Sequence, residues 1–511
     1  MYWLQTKIEI MLDQTTFFAD SGLPPALGYN LRRFNPWWEG EAMPLQPTTR
    51  RHLVAQMRRR LDANIAPIIV VRGPRQIGKT TAQFQIIQDL LDEGVDPRRI
   101  LRVQFDDLET LGNLKEPILR ISDWFERRIT PKRFNALAQA GATAYLFFDE
   151  IQNLDGWDVQ LKSLVDNASV KVIVTGSSAL RIELGRDSLA GRINTIEAGV
   201  LSLTEIGALR SFATLEPFLG DNGLANLLDK EFWRGLREYG IEHGEFCAEA
   251  FVYFSERGGY PIVHREKEVE FSQLADHLNE TVIKRVIQHD LRIGERGRKR
   301  DENLLEELFR LVCRYAGQTP RIATLAEEAR ISLDANIGSQ RVTSYLKFLG
   351  DTLLLRLIPP LEIRLKRRRG SPKLCLVDHG LRASWLQEHI PLVPDELAQR
   401  PELTTLAGHL AESIFGSVAS TIHGLDIAHF PERGTDQEVD FVLMVGSVRI
   451  PVEIKYQRRI DPFRDTLGLR SFLEKSVNNA PFGILVTQDN SGTADDPRIV
   501  SLPLSTFMML R

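Results

Sequence analysis

Gly73-Pro74-Arg75-Gln76-Ile77-Gly78-Lys79-Thr80 fits the pattern G-x-x-x-x-G-K-[ST] at every fixed position, and it follows the apolar run Pro67-Ile68-Ile69-Val70-Val71. That spacing suits phosphate chemistry. Gly73 and Gly78 let the backbone turn tightly and aim its amides at phosphate oxygens without a Cβ in the way. Lys79 reaches β- and γ-phosphates, and the Thr80 hydroxyl is a ligand for Mg²⁺. Pro74, Arg75, Gln76, Ile77 and Thr81 complete the cradle. A helix expected from Thr80 to about Leu91, closed by Gly94, points the positive end of its dipole at the bound anion. The expected ligands are ATP and Mg²⁺.

A second group of residues supplies what hydrolysis needs. Ala144-Tyr145-Leu146-Phe147-Phe148 runs into Asp149-Glu150, an apolar strand ending in two carboxylates, and resembles a Walker B element. Asp149 is placed to hold Mg²⁺ through its water shell, and Glu150 to orient or deprotonate the attacking water. Another strand candidate, Ile100 to Phe105, lies between the two motifs, and Val170 to Val174 follows them, leading into Thr175-Gly176-Ser177-Ser178. An extra strand separating the two motifs is the layout of ATPases that use a catalytic Glu, in which a polar residue at the tip of the next strand senses the γ-phosphate. Thr175 or Ser177 takes that position.

The stretches GPRQIGKTT, YLFFDEIQN, VIVTGSSA and Ser188-Leu189-Ala190-Gly191-Arg192 together resemble the AAA+ superfamily ATPases of bacteria and archaea that carry a C-terminal domain of unknown function. The resemblance covers the chain from about Arg50 onward. It implies that Arg192 stabilises the transferring phosphate, including from a neighbouring subunit of a homo-oligomer, with a structural salt bridge as the competing role and Arg186 as the alternative residue. Gly258-Gly259-Tyr260-Pro261 also resembles a signature of that family, and a tight turn accounts for it equally.

At 511 residues the chain is too long for one core. Its 43% hydrophobic and 26% charged content is that of a globular protein. A net charge of -4 confines any contact with nucleic acid to local patches. Cys247, Cys313 and Cys375 stand far apart, without the spacing of a disulfide frame or a zinc site. No apolar run reaches membrane-spanning length, and Glu9 and Asp13 interrupt the first eighteen residues in a way unlike a signal peptide. The expectation is a cytoplasmic protein without a membrane partner.

Residues 1–49, with Asn35-Pro36-Trp37-Trp38 at their centre, read as an extended, docked N-terminal arm; the tryptophans pack there or cover an adenine. A helix from Arg50 to Asp62, capped by Thr48 or Thr49, opens the ATPase core at 50–210. Residues 211–302 read as a helical lid ending in the basic run Arg292 to Arg300. Residues 303–390 give three helices and then a hairpin, the outline of a winged helix-turn-helix. Gln340, Arg341 and Ser344 would face a DNA groove, and Lys366, Arg367, Arg368 and Arg369 would grip phosphates from the wing.

In the last segment, 391–511, Glu438 to Tyr456 reads as a hairpin about Gly446-Ser447. Glu453 and Lys455 are two apart and share a face, while Val452 and Ile454 point to a core. With Asp440 on the partner strand and Glu412 on an upstream helix, the set resembles the restriction-endonuclease-like fold. There Glu412, Asp440 and Glu453 hold Mg²⁺ and Lys455 activates water, in a domain that keeps the fold with or without cutting. The expected fold class is α/β: a parallel P-loop sheet, a helical lid, a winged helix and a nuclease-like α/β domain. Three functions compete. The first is an ATPase coupled to DNA processing, the second an ATP-operated switch that docks a protein partner, and the third a transcription regulator using the winged helix alone.

Overall fold

The computed structural model describes residues 23–106, 114–177, 188–220, 223–290, 301–362, 370–432, 434 and 437–511. The N-terminal residues before 23, Asp107, Ser178, Arg186, the basic run 292–300 and Lys366 to Arg369 lie outside the described residues. Two compact units account for the chain: one from residues up to Gly73 and Gly78–Ala198, the other from Pro74–Ile77 and Gly199–Arg511. The segments expected from 211 onward therefore fall within one unit.

The first unit is a five-stranded parallel sheet. Its strands are β1 (Ile68–Arg72), β2 (Ile100–Gln104), β3 (Ala144–Asp149), β4 (Val170–Gly176) and β5 (Ile193–Glu197), in the spatial order β2-β3-β4-β1-β5. Strands buried on both faces carry continuous apolar runs, as Ile68-Ile69-Val70-Val71 and Leu146-Phe147-Phe148 do. The strand standing between the two motif strands is β4, and β2 is an edge. Sequence order had pointed to β2, but crossovers let chain order and spatial order diverge. Because β4 separates β1 from β3, Gly73, Asp149-Glu150 and Thr175 to Ser177 emerge side by side at the C-terminal ends of the strands. That is where open α/β sheets bind ligands.

Around this sheet lie α1 (Pro25–Phe34), α2 (His52–Ala63), α3 (Lys79–Asp92), α4 (Pro117–Arg128), α5 (Phe134–Gln139) and α6 (Trp157–Asn167). The arm is helical in α1 rather than extended, because Leu27 and Leu31, one turn apart, are both drawn into the core beside Val103 and Trp124. Its two tryptophans pack. Trp37 and Trp38 both donate their indole N–H to the Ile100 carbonyl, at 3.0 and 2.7 Å, on the edge strand. They are spent on that edge rather than on an adenine. Helix α2 buries Leu53, Met57 and Leu61 as their spacing predicts, but it starts without a side-chain cap at Arg51.

The second unit begins with helices α7 (Leu203–Arg210), α8 (Lys230–Glu242), α9 (Gly244–Arg257), α10 (Pro261–Arg265) and α11 (Phe271–Leu278), followed by π-helical turns over 279–290. A reciprocal Ser202–Glu205 capping box starts α7. Helices α12 (Glu302–Arg314), α13 (Ile322–Leu333) and α14 (Ser339–Asp351) then precede the antiparallel ribbon β6 (Leu355–Ile358) and β7 (Lys373–Leu376). Gly338 occupies the cap position of α14 and Ser339 is its first helical residue.

After α15 (His379–Leu386), α16 (Pro394–Ala398) and α17 (Thr404–Ala419) comes a mixed sheet ordered β12-β11-β10-β9-β8. Its strands are β8 (Asp426–Phe430), β9 (Val439–Val445), β10 (Val448–Lys455), β11 (Gly483–Thr487) and β12 (Ile499–Pro503). The β9–β10 hairpin turns at Gly446, whose φ of 60° is available to glycine without strain. Strands β10, β11 and β12 are parallel, with α18 (Leu467–Glu474) packed on the sheet through Leu469 and Phe472; α19 (Leu504–Phe507) ends the fold.

Candidate active site and a second cleft

The phosphate loop is shaped by two left-handed residues, Gln76 at φ 64° and Gly78 at φ 91°. Gly78 occupies the cap position of α3 and no side chain caps the helix. An uncapped helix start of this kind suits an anion by its dipole. Lys79 is buried, and its Nζ donates to the Gly73 carbonyl at 2.8 Å across the loop. Thr80 donates its hydroxyl to Asp149 Oδ2 at 2.7 Å. Two hard oxygen groups from motifs sixty-nine residues apart therefore meet at hydrogen-bond distance, a donor set that suits Mg²⁺.

Asp149 is the hub of a buried network. Its Oδ1 accepts from the Thr175 hydroxyl and from the Glu150 amide at 3.1 Å; its Oδ2 accepts from Thr80 and from Arg102 Nη2 at 2.9 Å. Gln83 of α3 donates to Thr175 Oγ1 at 2.9 Å and so ties the helix to the tip of β4. Glu150, just after β3, adopts φ 52°, a conformation sparsely used by non-glycine residues. Its carboxylate accepts from Ser177 Oγ at 3.2 Å and from Gln152, and Gln152 also donates to Ser177 at 3.1 Å. Both candidate sensor residues are thus engaged: Thr175 with Asp149, Ser177 with Glu150.

Arg192 takes the structural alternative within its unit. Its guanidinium forms a two-pronged pair with Asp166 at 2.6 and 3.0 Å on the surface. Arg102 escaped the sequence reading, yet it left a signal. A cation inside a strand that is otherwise buried on both faces must find an anion, and Asp149 is that anion.

The second unit holds another concentration of ionisable groups. A cleft of about 650 Å³ is lined by Glu412 of α17, Asp440 of β9, and Glu453 and Lys455 of β10, together with Tyr315 and Gly317 to Pro320. All four residues of the expected set converge there. Lys455 Nζ donates to Glu453 Oε1 at 2.6 Å, and Asp440 Oδ2 accepts the Ile454 amide at 2.9 Å. Lys373, at the start of β7, was not foreseen: a lysine opening an apolar strand gives no sign of burial. Its ammonium, fully enclosed, stands between Glu412 and Asp440 at 2.5 and 3.0 Å.

Burial works against the charge of Lys373, but Asp440 and Glu412 carry its pKa above the ordinary value. Burial, reinforced by Asp440, pushes Glu453 up to about 8. Among the described residues no group of three or more His, Cys, Asp or Glu is arranged to hold a metal ion. Here the position between Glu412 and Asp440 is filled by a lysine.

On α14, Gln340, Arg341 and Ser344 are exposed, with Arg341 paired to Asp301 at 3.1 Å. The Gly258-Gly259 turn has a structural partner. Gly258 lies at φ 79°, and the Gly259 amide donates to the buried Asp378 at 2.6 Å, whose other oxygen caps α15 through Gly380 N at 2.8 Å. No helix among the described residues is long and apolar enough to cross a membrane.

Residues 66–207 match a family model described as an AAA domain, and residues 248–389 match one described as a domain of unknown function. An uncharacterised protein of Methanocaldococcus jannaschii is 25% identical over 48% of this chain and 47% of its own length. One of Mycobacterium tuberculosis is 21% identical over 65% of this chain and 58% of its own. The chain thus spans about half the length of these curated relatives. Among solved structures, the Walker-type ATPase of Pyrococcus abyssi aligns over 67% of this chain and 99% of its own, at 13% identity and a TM-score of 0.37. The AAA-domain match covers the residues that build β1 to β5 and the phosphate loop, and it supports a P-loop, AAA-like ATPase domain over residues 66–207.

Proposed function

We propose that this protein is a Mg²⁺-dependent ATPase whose nucleotide state governs DNA binding by its second unit. The observation that carries the catalytic half is the convergence of Thr80, Asp149, Glu150, Thr175 and Ser177 at the C-terminal ends of three adjacent strands. In this reading Lys79 and the amides of the loop bind the β- and γ-phosphates. Mg²⁺ would supply charge neutralisation at those phosphates, and Thr80 and Asp149 are the residues that would hold it. Glu150, steered by Ser177 and Gln152, accepts the proton of the attacking water. Gln83 and Thr175 keep Asp149 in register with α3. Arg192 serves as a transition-state cation only if a neighbouring copy draws it away from Asp166.

The DNA half rests on the order of three helices and a ribbon, on the exposed Gln340, Arg341 and Ser344, and on the basic composition of Lys366 to Arg369. The cleft around Glu412, Asp440, Glu453 and Lys455 is supported as a restriction-endonuclease-like relic or enzyme by the convergence of all four residues with a hairpin and a parallel strand pair. The alternative is an ATP-operated switch in which the same unit docks a protein. Steady-state ATP turnover, with and without duplex and single-stranded DNA, tests both halves. Wild type should hydrolyse ATP, DNA should raise the rate, and Lys79→Ala should abolish turnover. Full turnover by the Lys79 variant removes the catalytic reading, and indifference to every DNA form favours the switch.

A further inference from the structure

Asp149, the carboxylate assigned to the divalent cation, already faces a protein cation. Arg102 is 2% exposed and Asp149 1%, and the guanidinium bonds the same oxygen, Oδ2, that receives the Thr80 hydroxyl. The guanidinium carbon also lies 4.3 Å over the Phe84 ring of α3, and Nη2 lies 3.2 Å from Gln104 Oε1. The strand that carries Arg102 is an edge, and at Arg102 itself its free edge is met by one side chain. Asn35, fully buried at the end of α1, accepts the Arg102 amide at 2.6 Å and donates to the Arg102 carbonyl at 2.9 Å, pairing with that residue as a neighbouring strand would. Trp37 and Trp38 fasten the same edge two residues earlier, at Ile100.

We infer that Arg102 is a positioning residue that lowers the affinity of the nucleotide site for its divalent cation, and that Asn35 of the N-terminal arm holds it in that role. The inference rests on the ATPase reading above. A buried carboxylate with no neighbouring cation has the strongest demand for one; a guanidinium at 2.9 Å meets that demand in advance. An incoming dication then meets a carboxylate already compensated and a fixed positive charge beside it. Loosening the arm would relax the brake without touching the phosphate loop.

The full-length protein with ADP is titrated with Mn²⁺ and the bound ion followed by electron paramagnetic resonance, for wild type, Arg102→Met, Arg102→Lys and Asn35→Ala. Arg102→Met should bind Mn²⁺ about tenfold more tightly, the scale on which one adjacent opposite charge alters a carboxylate's affinity for a cation. Arg102→Lys should return toward wild type, and Asn35→Ala should tighten binding by a smaller factor. Unchanged or weaker Mn²⁺ binding in a folded Arg102→Met protein overturns the inference. Should that variant fail to fold, unchanged binding in Asn35→Ala overturns it equally. A wild type that binds Mn²⁺ with ADP yet turns over no ATP defeats the hydrolytic reading alone, because the Mn²⁺ comparison does not depend on turnover.

Discussion

Single side chains decide what each site can do. Glu150, held by Ser177 and Gln152, is the carboxylate proposed to accept a proton, whereas both oxygens of Asp149 already accept hydrogen bonds. Glu150→Gln should therefore leave nucleotide affinity near wild type while turnover falls by about 10²–10⁴-fold, the range of general-base catalysis, as a comparison of equilibrium binding with steady-state rates would show. Asp378 illustrates a different residue-level effect. Burial pushes its carboxyl up to about 7, against the pull of the Gly259 and Gly380 amides.

Its folded pKa thus exceeds its unfolded one, so the folded state binds more protons across the interval between them. The stabilising contribution is complete below about pH 4 and is lost as pH rises through about 7. Asp378→Asn also loses one of two backbone acceptors, since an amide offers a single oxygen. Urea midpoints of wild type and variant, measured from pH 4 to 8, should differ most at the acidic end and approach each other toward the alkaline end. A constant difference would assign the carboxyl no pH-dependent part.

Elements are positioned by backbone features that leave no room for substitution. The loop between α12 and α13 passes into the β7 edge, with the Gly317 amide donating to Leu374 O at 2.6 Å and Gln318 O accepting from Leu374 N at 2.9 Å. Gly317 has φ 81°, and a Cβ there would fall 1.9 Å from the His409 carbonyl, a backbone atom of α17 that cannot rotate aside. Gly317→Ala should cost roughly 2–4 kcal/mol, combining left-handed strain with displacement of α17. Chemical denaturation would read the loss. Because Gly317 and Glu412 line one cleft, the same substitution should also disturb Lys373 and its two carboxylates.

A neighbouring glycine acts by the same logic. Gly416 of α17 meets Cys375 Sγ and the Phe441 ring at 2.5 and 2.9 Å from an added Cβ, so the helix can approach the ribbon and the sheet only without one. The helix that delivers Glu412 is thus seated by glycine rather than by its charges.

At the scale of the whole molecule, a net charge of -4 gives no general attraction for nucleic acid, so the proposed DNA binding would depend on few contacts. In the proposed DNA-binding reading, four basic residues at 366–369 that each met one phosphate would give a salt slope of about -3.6 in log K against log [salt] on duplex DNA. Replacing all four by Gln should flatten that slope by nearly the same amount and remove DNA stimulation of ATP turnover. A slope unaffected by the replacement would move the contact elsewhere.

Much of the first unit was legible in the chain. A phosphate loop needs its glycines, lysine and threonine in a contiguous order because the amides that bind phosphate are adjacent along the backbone, so a linear pattern captures the site. Asp149 and Glu150 were readable because a buried apolar run gives way to two adjacent carboxylates at the C-terminal end of its strand. The hairpin carrying Asp440, Glu453 and Lys455 was readable because side chains alternate with a period of two. Tertiary structure alone decided the rest: that β4 rather than β2 separates the motif strands, that Arg192 pairs with Asp166, and that Arg102 and Lys373 stand against the carboxylates. Local spacing encodes geometry only within an element. Which buried charge meets which is settled by strand order and crossovers, and these depend on how distant apolar faces cover one another.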